Sequence, residues 1–401
     1  MLFSDTLSDI LQAAQCVGTG AAPSDDEMLR LLERSRGGEI LDLQEMVLLM
    51  EGTYKESGRR LILEFAEDQR RPHDEEILLL PPLYFSSICE NNCKYCSFSA
   101  LGQRLSVEEF ANEFQVLMDM GYRSIELVSS QDPELYPHDE KYTHDNQLFQ
   151  IDGALEYFDV AKSLLEQGGG GMLTSNIPPL DVESLKRLRE AGLDCFLLWL
   201  ETFQPEKYSE LHVAQGPKGS QPFRLDSFEH ALEAGLPHVA GAFLKGLDDW
   251  RKEEIALYCL DVHLRRLNGN GFSIIGTPRL KGAFADSSLV KDHTVSDEDY
   301  ALNIALDRIL FNGILWLQTR ESFDFNLELM KRFGAGVILT LTSCTAPGGY
   351  SGSPKGKSQF PIQKQGLSRS LQILEEGGFQ PHFVWDASTL VGFQRVPGRS
   401  S

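Results

Sequence analysis

Eight short apolar runs, separated by segments with helical periodicity, predict an α/β chain built as a (β/α)8 TIM barrel. Two further observations agree. The chain's 401 residues accommodate the roughly 250 of such a barrel and leave length for extensions. A loop rich in cysteine also follows the first apolar run directly, and barrels of this kind keep their reacting groups on the loops after the strands. On this basis residues 1–75 are expected to form an N-terminal helical extension, 76–345 the barrel, and 346–401 a C-terminal extension closing it.

Taken in order, the first segment places Met28, Leu31 and Leu32 at helical spacing over 25–36, with Ser24 as a plausible N-cap ahead of acidic residues. The stretch 41–54 continues the habit, and no direct chemistry is expected from this preamble, which should cover one end of the barrel. At residues 77–80 the pattern changes to an apolar run, followed by Pro81, Pro82, Leu83, Tyr84 and Phe85: a buried strand that delivers the chain into the cysteine loop. A helix over 106–120 carries a capping box, Ser106 with Glu109, and Gly121 ends it. Strands are then expected at 125–128, 171–174, 195–200, 239–244, 272–275, 314–317 and 337–341. Helices fall between them at 182–191, 225–234, 252–267, 297–310 and 322–333. The glycine run 168–171 reads as a helix stop rather than a phosphate cradle.

Charge narrows the partners. Thirty-seven basic residues against 59 acidic ones give a formal charge of −22, which disfavours nucleic acid or an anionic membrane surface and suits a small-molecule substrate. The first residues are acidic, lack a basic segment, and no stretch approaches 18 consecutive apolar residues, so neither a secretory signal nor a membrane span is expected and the cytoplasm is the expected home. Cys16, Cys195, Cys259 and Cys344 show no paired spacing and should be free thiols.

The remaining cysteines, Cys89, Cys93 and Cys96, stand at spacings of four and three residues and can present three thiolates to one centre. A structural zinc site would need a fourth ligand, such as His73 or His138, and a reduced trio without metal is the other plain reading. An electron-transfer iron–sulfur cluster wants four thiolates, so three would leave one iron open. Residues that follow the expected strands, namely Gln131, Asn176, Glu201, Lys245, Arg279, Arg320 and Thr340, would form a polar mouth over an apolar barrel.

The Cys-x3-Cys-x2-Cys spacing, with Tyr95 ahead of the last cysteine, resembles the radical S-adenosylmethionine (SAM) enzymes. Further tracts extend the similarity from about Pro82 to Asp386 and resemble the aromatic amino acid lyases of that superfamily: the tyrosine lyase of thiamine synthesis (2-iminoacetate synthase), the tyrosine lyase of hydrogenase maturation and the tryptophan lyase of thiopeptide synthesis. They include Pro82-Leu83-Tyr84, Cys96-Ser97-Phe98-Ser99, Glu201-Thr202-Phe203 with Tyr208 and His212, Phe223-Arg224-Leu225, Gly246-Leu247-Asp248, Pro278-Arg279-Leu280, Thr319-Arg320-Glu321 and Thr345-Ala346-Pro347-Gly348-Gly349-Tyr350. The resemblance implies a barrel of the radical SAM type in which Cys89, Cys93 and Cys96 hold a [4Fe-4S] cluster whose open iron binds SAM. It further implies that Arg320 anchors the substrate carboxylate, that Tyr84 and Thr340 fix the amino end, and that Tyr95, Gln131, Glu201, Arg224 and Arg279 contact the cofactor. The implied reaction is Cα–Cβ cleavage of a tyrosine-like amino acid to 2-iminoacetate and a p-cresol-type product, with a flavodoxin- or ferredoxin-like electron donor.

The chain also departs from that pattern. Ser129-Ser130-Gln131 stands where the family usually carries a Gly-Glu pair whose carboxylate meets the amino group of SAM, and an amide loses that charge assistance. Beyond Cys344 there is no cysteine, so the second cluster of the hydrogenase maturase, and carbon monoxide and cyanide production with it, is disfavoured. A tryptophan-lyase-type cleavage, another radical SAM reaction such as a mutase, methylase or sulfur insertion, and a non-catalytic cluster carrier stand as alternatives.

Overall fold

The computed structural model describes residues 2–69, 71–138, 149–212, 217–356, 358–360, 362 and 366–394. The N-terminal helices come first: α1 (Leu7–Ala14), α2 (Asp25–Arg36), α3 (Leu43–Gly52) and α4 (Glu56–Asp68). Ser24 caps α2 through a reciprocal pair with Glu27. Rather than capping an end of the barrel, these helices pack along its flank. Their apolar faces, with Leu31, Leu32, Met46 and Met50 buried, lie against α10 (Trp250–Asn268) and α11 (Asp297–Leu310), while the turn Phe3–Thr6 ahead of them packs on α9 (Gln221–Glu233). Ser4 bonds Asp226, Leu41 N donates to the Tyr258 hydroxyl at 2.8 Å, and Arg59 pairs with Asp299 at 2.6 Å.

The strands are β1 (Glu76–Leu79), β2 (Pro82–Ser86), β3 (Ser124–Ser129), β4 (Met172–Asn176), β5 (Cys195–Glu201), β6 (His238–Phe243), β7 (Ile274–Gly276), β8 (Ile314–Leu317), β9 (Val337–Leu339) and β10 (Gln380–His382). They form one parallel sheet in the order β10-β1-β9-β8-β7-β6-β5-β4-β3-β2. Apart from β10, whose residues are exposed or part-buried, the strands are covered on both faces and mostly apolar, as buried parallel strands must be.

The first expected strand is split in two. Pro81 and Pro82 have no N–H to give a ladder, so the run breaks between them and Leu79. The lower piece β1 pairs with β9 and the upper piece β2 with β3. The sheet therefore curls back on itself through Leu80 and Pro81, where Leu80 N donates to Leu339 O at 3.2 Å and Glu126 N to Pro81 O at 3.0 Å.

Around the sheet run α5 (Val107–Asp119), α6 (Asp152–Gln167), α7 (Val182–Glu190), the short α8 (Pro205–Leu211) and, after α9 to α11, α12 (Phe323–Phe333). Ser106 caps α5 as expected: Glu109 N donates to its hydroxyl at 3.2 Å while Ser106 N donates to the Glu109 carboxylate at 2.8 Å. Gly121, at φ +103°, turns the chain out of the helix.

At the lower end, α13 (Leu367–Glu376) leads into β10, which lies beside β1. The chain then crosses to β3, where Arg123 N donates to Phe383 O. Trp385 donates its indole N–H to Leu79 O at 2.9 Å and, with Leu390 of α14 (Ala387–Phe393), joins the interior cluster of Leu78, Leu80, Cys195 and Ile338. Among the described residues no helix is long and apolar enough to cross a membrane.

Candidate active site

The loop after β2 is pinned at its base. Ser87 N donates to Gln103 O at 2.8 Å and Leu105 N to Phe85 O at 2.9 Å, so the chain leaves and re-enters at one point. Within it, Cys89 N donates to Ser99 O and Cys96 N to Cys93 O, a tight turn that folds the three cysteines toward one another. Burial raises the Cys96 thiol to about 11, with Cys93 and then Cys89 adding to the rise through charge repulsion. Cys89 is likewise raised by burial and by Cys93. Two thiols held from ionising by burial, with Cys93 close enough to act on both, are a donor set that fits a shared cationic centre, which would take up their negative charge.

The histidines a zinc site would borrow are committed elsewhere. His73 precedes β1 at the opposite end of the barrel and stacks on Phe393 with ring centroids 4.3 Å apart. His138 Nε2 lies 2.8 Å from Glu90 Oε1. Among the described residues no three His, Cys, Asp or Glu side chains close on a single ion.

Gln131 is a latch on this loop. Its carbonyl accepts from Glu90 N at 3.1 Å, its Nε2 donates to Glu90 Oε1 at 2.6 Å, and its Oε1 accepts from Asn91 Nδ2 at 3.0 Å. Both ends of the amide are taken up by the residues following Cys89.

Above the upper strand ends lies a cavity open to solvent at its mouth. Tyr84, Tyr95, Cys96, Glu201, Lys218 and Arg320 border it. Glu201 ends β5 behind a bulge, at φ +69°. That left-handed backbone is costly for a side chain with a Cβ and is kept where a site needs it. Burial alone would raise its carboxyl, but Lys218 at 2.8 Å and Arg224 at 3.7 Å override this and hold it at about 2. Arg224 itself is fixed by Nε donating to Trp199 O at 2.7 Å.

Arg320 stands differently. Its guanidinium lies 3.9 Å over the Phe360 ring, and among the described residues its Nε has no hydrogen-bond partner. Burial weakens its hold on the proton, with the more distant Glu201 charge opposing. It is a cation turned to the cavity, with no ion-pair partner among the described residues. Tyr84, beside it, donates its hydroxyl to Gln359 Oε1 at 2.8 Å, and Gln359 Nε2 reaches Cys96 Sγ at 3.8 Å.

Three expected mouth residues are placed otherwise. Thr340 lines the cavity, yet its hydroxyl donates to Leu80 O and accepts from Trp316 Nε1, both at 2.9 Å, so its proton is committed to the barrel wall. Arg279 does not line the cavity: it donates to Glu321 at 2.9 and 2.5 Å, to Asp297 at 2.7 Å and to Val295 O, and stacks over Tyr300 at 4.6 Å. Lys245 is fully buried behind β6, 4.3 Å over Phe243 and 3.8 Å from Asp307. Both cations face carboxylates of the loop–helix layer outside the barrel, which offers a charged partner that the cavity does not.

Sequence reasoning missed Lys218, Gln359 and Phe360, which come from segments without regular periodicity, and Glu126, a carboxylate inside an otherwise apolar strand. His212, known only from its tract, hydrogen-bonds Tyr95.

Comparison with known proteins agrees with this picture. Residues 83–259 match the family model described as the radical SAM superfamily. A 2-iminoacetate synthase from Escherichia coli K12 is 24% identical over 380 residues, covering 90% of this chain and 93% of that protein. A 3-methylornithine synthase from Methanosarcina acetivorans is 28% identical over 160 residues, 38% of this chain and 41% of that protein. Among solved structures, the FeFe-hydrogenase maturase HydG from Carboxydothermus hydrogenoformans superposes with a TM-score of 0.80 at 27% identity, covering 96% of this chain and 85% of that one.

Proposed function

We propose that this chain, which carries a radical SAM domain over residues 83–259, fragments a free aromatic amino acid, with a tyrosine-like substrate cleaved between Cα and Cβ to 2-iminoacetate and a p-cresol-type product. Radical SAM domains use a [4Fe-4S] cluster and SAM, which together supply a carbon radical able to remove a hydrogen atom from an unactivated position. Cys89, Cys93 and Cys96 are the residues that would hold the cluster, and the Gln131 latch would keep their loop in register. Glu201, ionised by Lys218 and Arg224, offers a fixed negative charge next to Tyr95 for the polar groups of SAM.

The observation that carries the amino acid reading is Arg320. A guanidinium held against Phe360, facing a cavity bordered by Cys96 and lacking a bonded counter-ion among the described residues, is built to take a carboxylate in two parallel hydrogen bonds. Tyr84 would bound the same end of the substrate. Such anchoring matters because a promiscuous radical acts on whatever atom is held nearest, so position decides which bond breaks. The similarity to a 2-iminoacetate synthase over 90% of the chain supports the choice among radical SAM reactions. Electrons would come from a flavodoxin- or ferredoxin-like donor, a basic patch of which the strongly acidic chain could attract.

Anaerobic reconstitution tests this. Iron is counted, and 5'-deoxyadenosine is measured with SAM, a reductant and each of the twenty amino acids. Iron bound by the natural chain and lost when Cys89, Cys93 and Cys96 are changed to Ala, with 5'-deoxyadenosine stimulated by tyrosine or a close relative, is the expected result. Full iron content in the triple variant would sink the cluster assignment, and indifference to every amino acid would sink the substrate.

A further inference from the structure

The cavity has two chemically unlike ends, and on the reading that it takes a free amino acid, only the Arg320 end has a partner. At the other end stands Glu126. It lies on β3, level with Pro82 of β2 and Thr174 of β4, one interior layer below Tyr84, which is level with Val128. Its side chain lines the cavity and is only 3% exposed. Asn176 Nδ2 donates to its Oε1 at 3.1 Å; among the described residues this is its sole hydrogen bond, and no Lys, Arg or His pairs with it.

Packing gives no reason for this residue. Its strand neighbours Ile125, Leu127 and Val128 are apolar, and a buried carboxyl without a cation is costly unless something binds it. Burial raises it to about 8, with the Asn176 hydrogen bond opposing, so near neutral pH it is an acid that carries one O–H donor and one carbonyl acceptor. Trp199 and Trp316 line the same cavity with ring centroids 5.9 Å apart, supplying aromatic surface beside it. Tyr84 feels both ends: after burial, Glu126 makes its hydroxyl harder to ionise and Arg320 makes it easier.

We infer that Glu126, oriented by Asn176, is the residue that recognises the ring hydroxyl of the tyrosine-like substrate proposed above. A phenolic hydroxyl both donates and accepts, which complements the acceptor and donor of a neutral carboxylic acid. An indole N–H only donates, and an ammonium would require the acid to be ionised in its buried place. Phenylalanine would leave the acid unpaired, the circumstance in which a site built to bond a hydroxyl discriminates most strongly.

The test is calorimetric binding of amino acids to the full chain, anaerobically loaded with its cluster and with SAM present. The natural protein is expected to prefer tyrosine over phenylalanine by about 100-fold or more, Glu126→Leu to reduce that ratio below about 5-fold, and Glu126→Gln, which keeps the volume and hydrogen-bonding capacity, to retain about 10-fold. Arg320→Ala should weaken both ligands alike and leave the ratio intact, and thermal melts establish that each variant is folded. A natural ratio near one, an undiminished ratio in Glu126→Leu, or tighter binding of lysine than of tyrosine would overturn the inference. Its failure is distinct from that of the amino acid reading: ligands held through Arg320 but blind to the ring hydroxyl refute the role of Glu126 alone, whereas a protein that binds no amino acid refutes both.

Discussion

Tyr95 donates its phenolic hydrogen to His212, with Oη 2.6 Å from Nε2. The direction follows from the other ring nitrogen: Nδ1 lies 2.8 Å from the Tyr208 carbonyl, which can only accept, so Nδ1 carries the proton and Nε2 is bare. Burial and then the Lys218 charge lower the imidazole to about 3, which keeps it neutral and the bond intact at ordinary pH. Tyr95 sits between two of the cluster cysteines, Cys93 bridges His212 through the backbone, and Lys94 N donates to Leu211 O. The end of α8 is therefore a splint for the cysteine loop.

Tyr95→Phe is accordingly expected to cost about 1 kcal/mol in a urea melt of the metal-free chain. His212→Ala should cost about 1–3 kcal/mol, because it also leaves the Tyr95 hydroxyl buried without an acceptor. In reconstituted protein both should release iron faster on challenge with a chelator. Iron release at the natural rate in His212→Ala would show that the loop holds its shape without the splint.

Arg320→Ala should raise the KM for the amino acid by roughly 100- to 1,000-fold, the loss of two charge-assisted hydrogen bonds, while iron content and the cluster spectrum stay unchanged. Arg320→Lys keeps the charge but not the planar fork and should recover only part of the loss. Phe360→Ala, which removes the ring beneath the guanidinium, should weaken binding by a smaller factor. Steady-state kinetics with a saturating reductant decide the matter, and an unchanged KM in Arg320→Ala would eliminate the clamp.

Much of this was legible in the sequence because each signal was local. The apolar runs marked β3 through β9, since a buried parallel strand has few polar residues to spare, and Ser106 with Glu109 announced α5 at its cap. The cysteine loop was visible from spacing alone. What escaped depended on the third dimension. Strand β10 is only Gln380, Pro381 and His382, with no apolar run, and exists because β1 leaves an edge beside it. Lys218 reaches the cavity from a short 3-10 turn that carries no periodicity. Arg279 and Lys245 were drawn into the expected mouth by position after a strand, but position does not say which way a long cation turns, and Glu321 and Asp307 turned them outward. Glu126 was readable in principle, as the one charged residue among apolar neighbours in its strand.

Stability should also fall as pH rises from about 4.5 to about 8. Glu253 accepts from Thr202 Oγ1 at 2.5 Å and from Phe203 N at 2.7 Å, yet burial outweighs both bonds and raises its carboxyl to about 8, like that of Glu126. In the unfolded chain both titrate near the ordinary 4.5. Between these values the folded protein holds protons that the unfolded chain has released, so their contribution is complete below about 4.5 and is lost as pH climbs through 8. Glu201, held at about 2, acts with the opposite sign below about 4.5, and His212, lowered from 6.5 to about 3, does so up to about 6.5, so the decline is steepest between 6.5 and 8. Glu253→Gln should flatten the decline by an amount on the order of a few kcal/mol across the window. Urea melts of the metal-free chain at pH 5, 6.5 and 8 measure it, and a decline as steep in the variant as in the natural protein would assign the dependence to other groups.

The last expectation concerns the lower end of the barrel, where we expect the C-terminal extension to act as its closure. Trp385 is 3% exposed, bonds Leu79 O through its indole nitrogen, and accepts at its own carbonyl from Ser124 Oγ at 2.5 Å. It thereby ties β1 to β3 below the point where Pro81 and Pro82 interrupt the ladder, a gap that no backbone pairing between those strands fills. Trp385→Ala should cost about 3–5 kcal/mol, the range for deleting a large buried aromatic side chain. Trp385→Phe, which keeps most of the volume but orphans the Leu79 carbonyl, should cost about 1–2 kcal/mol. Because the cysteine loop and Arg320 lie at the opposite end, iron uptake at temperatures well below the melt should be unaffected in either variant. A cost under about 1 kcal/mol for Trp385→Ala would mean that the barrel is closed without its tail and that the extension only decorates it.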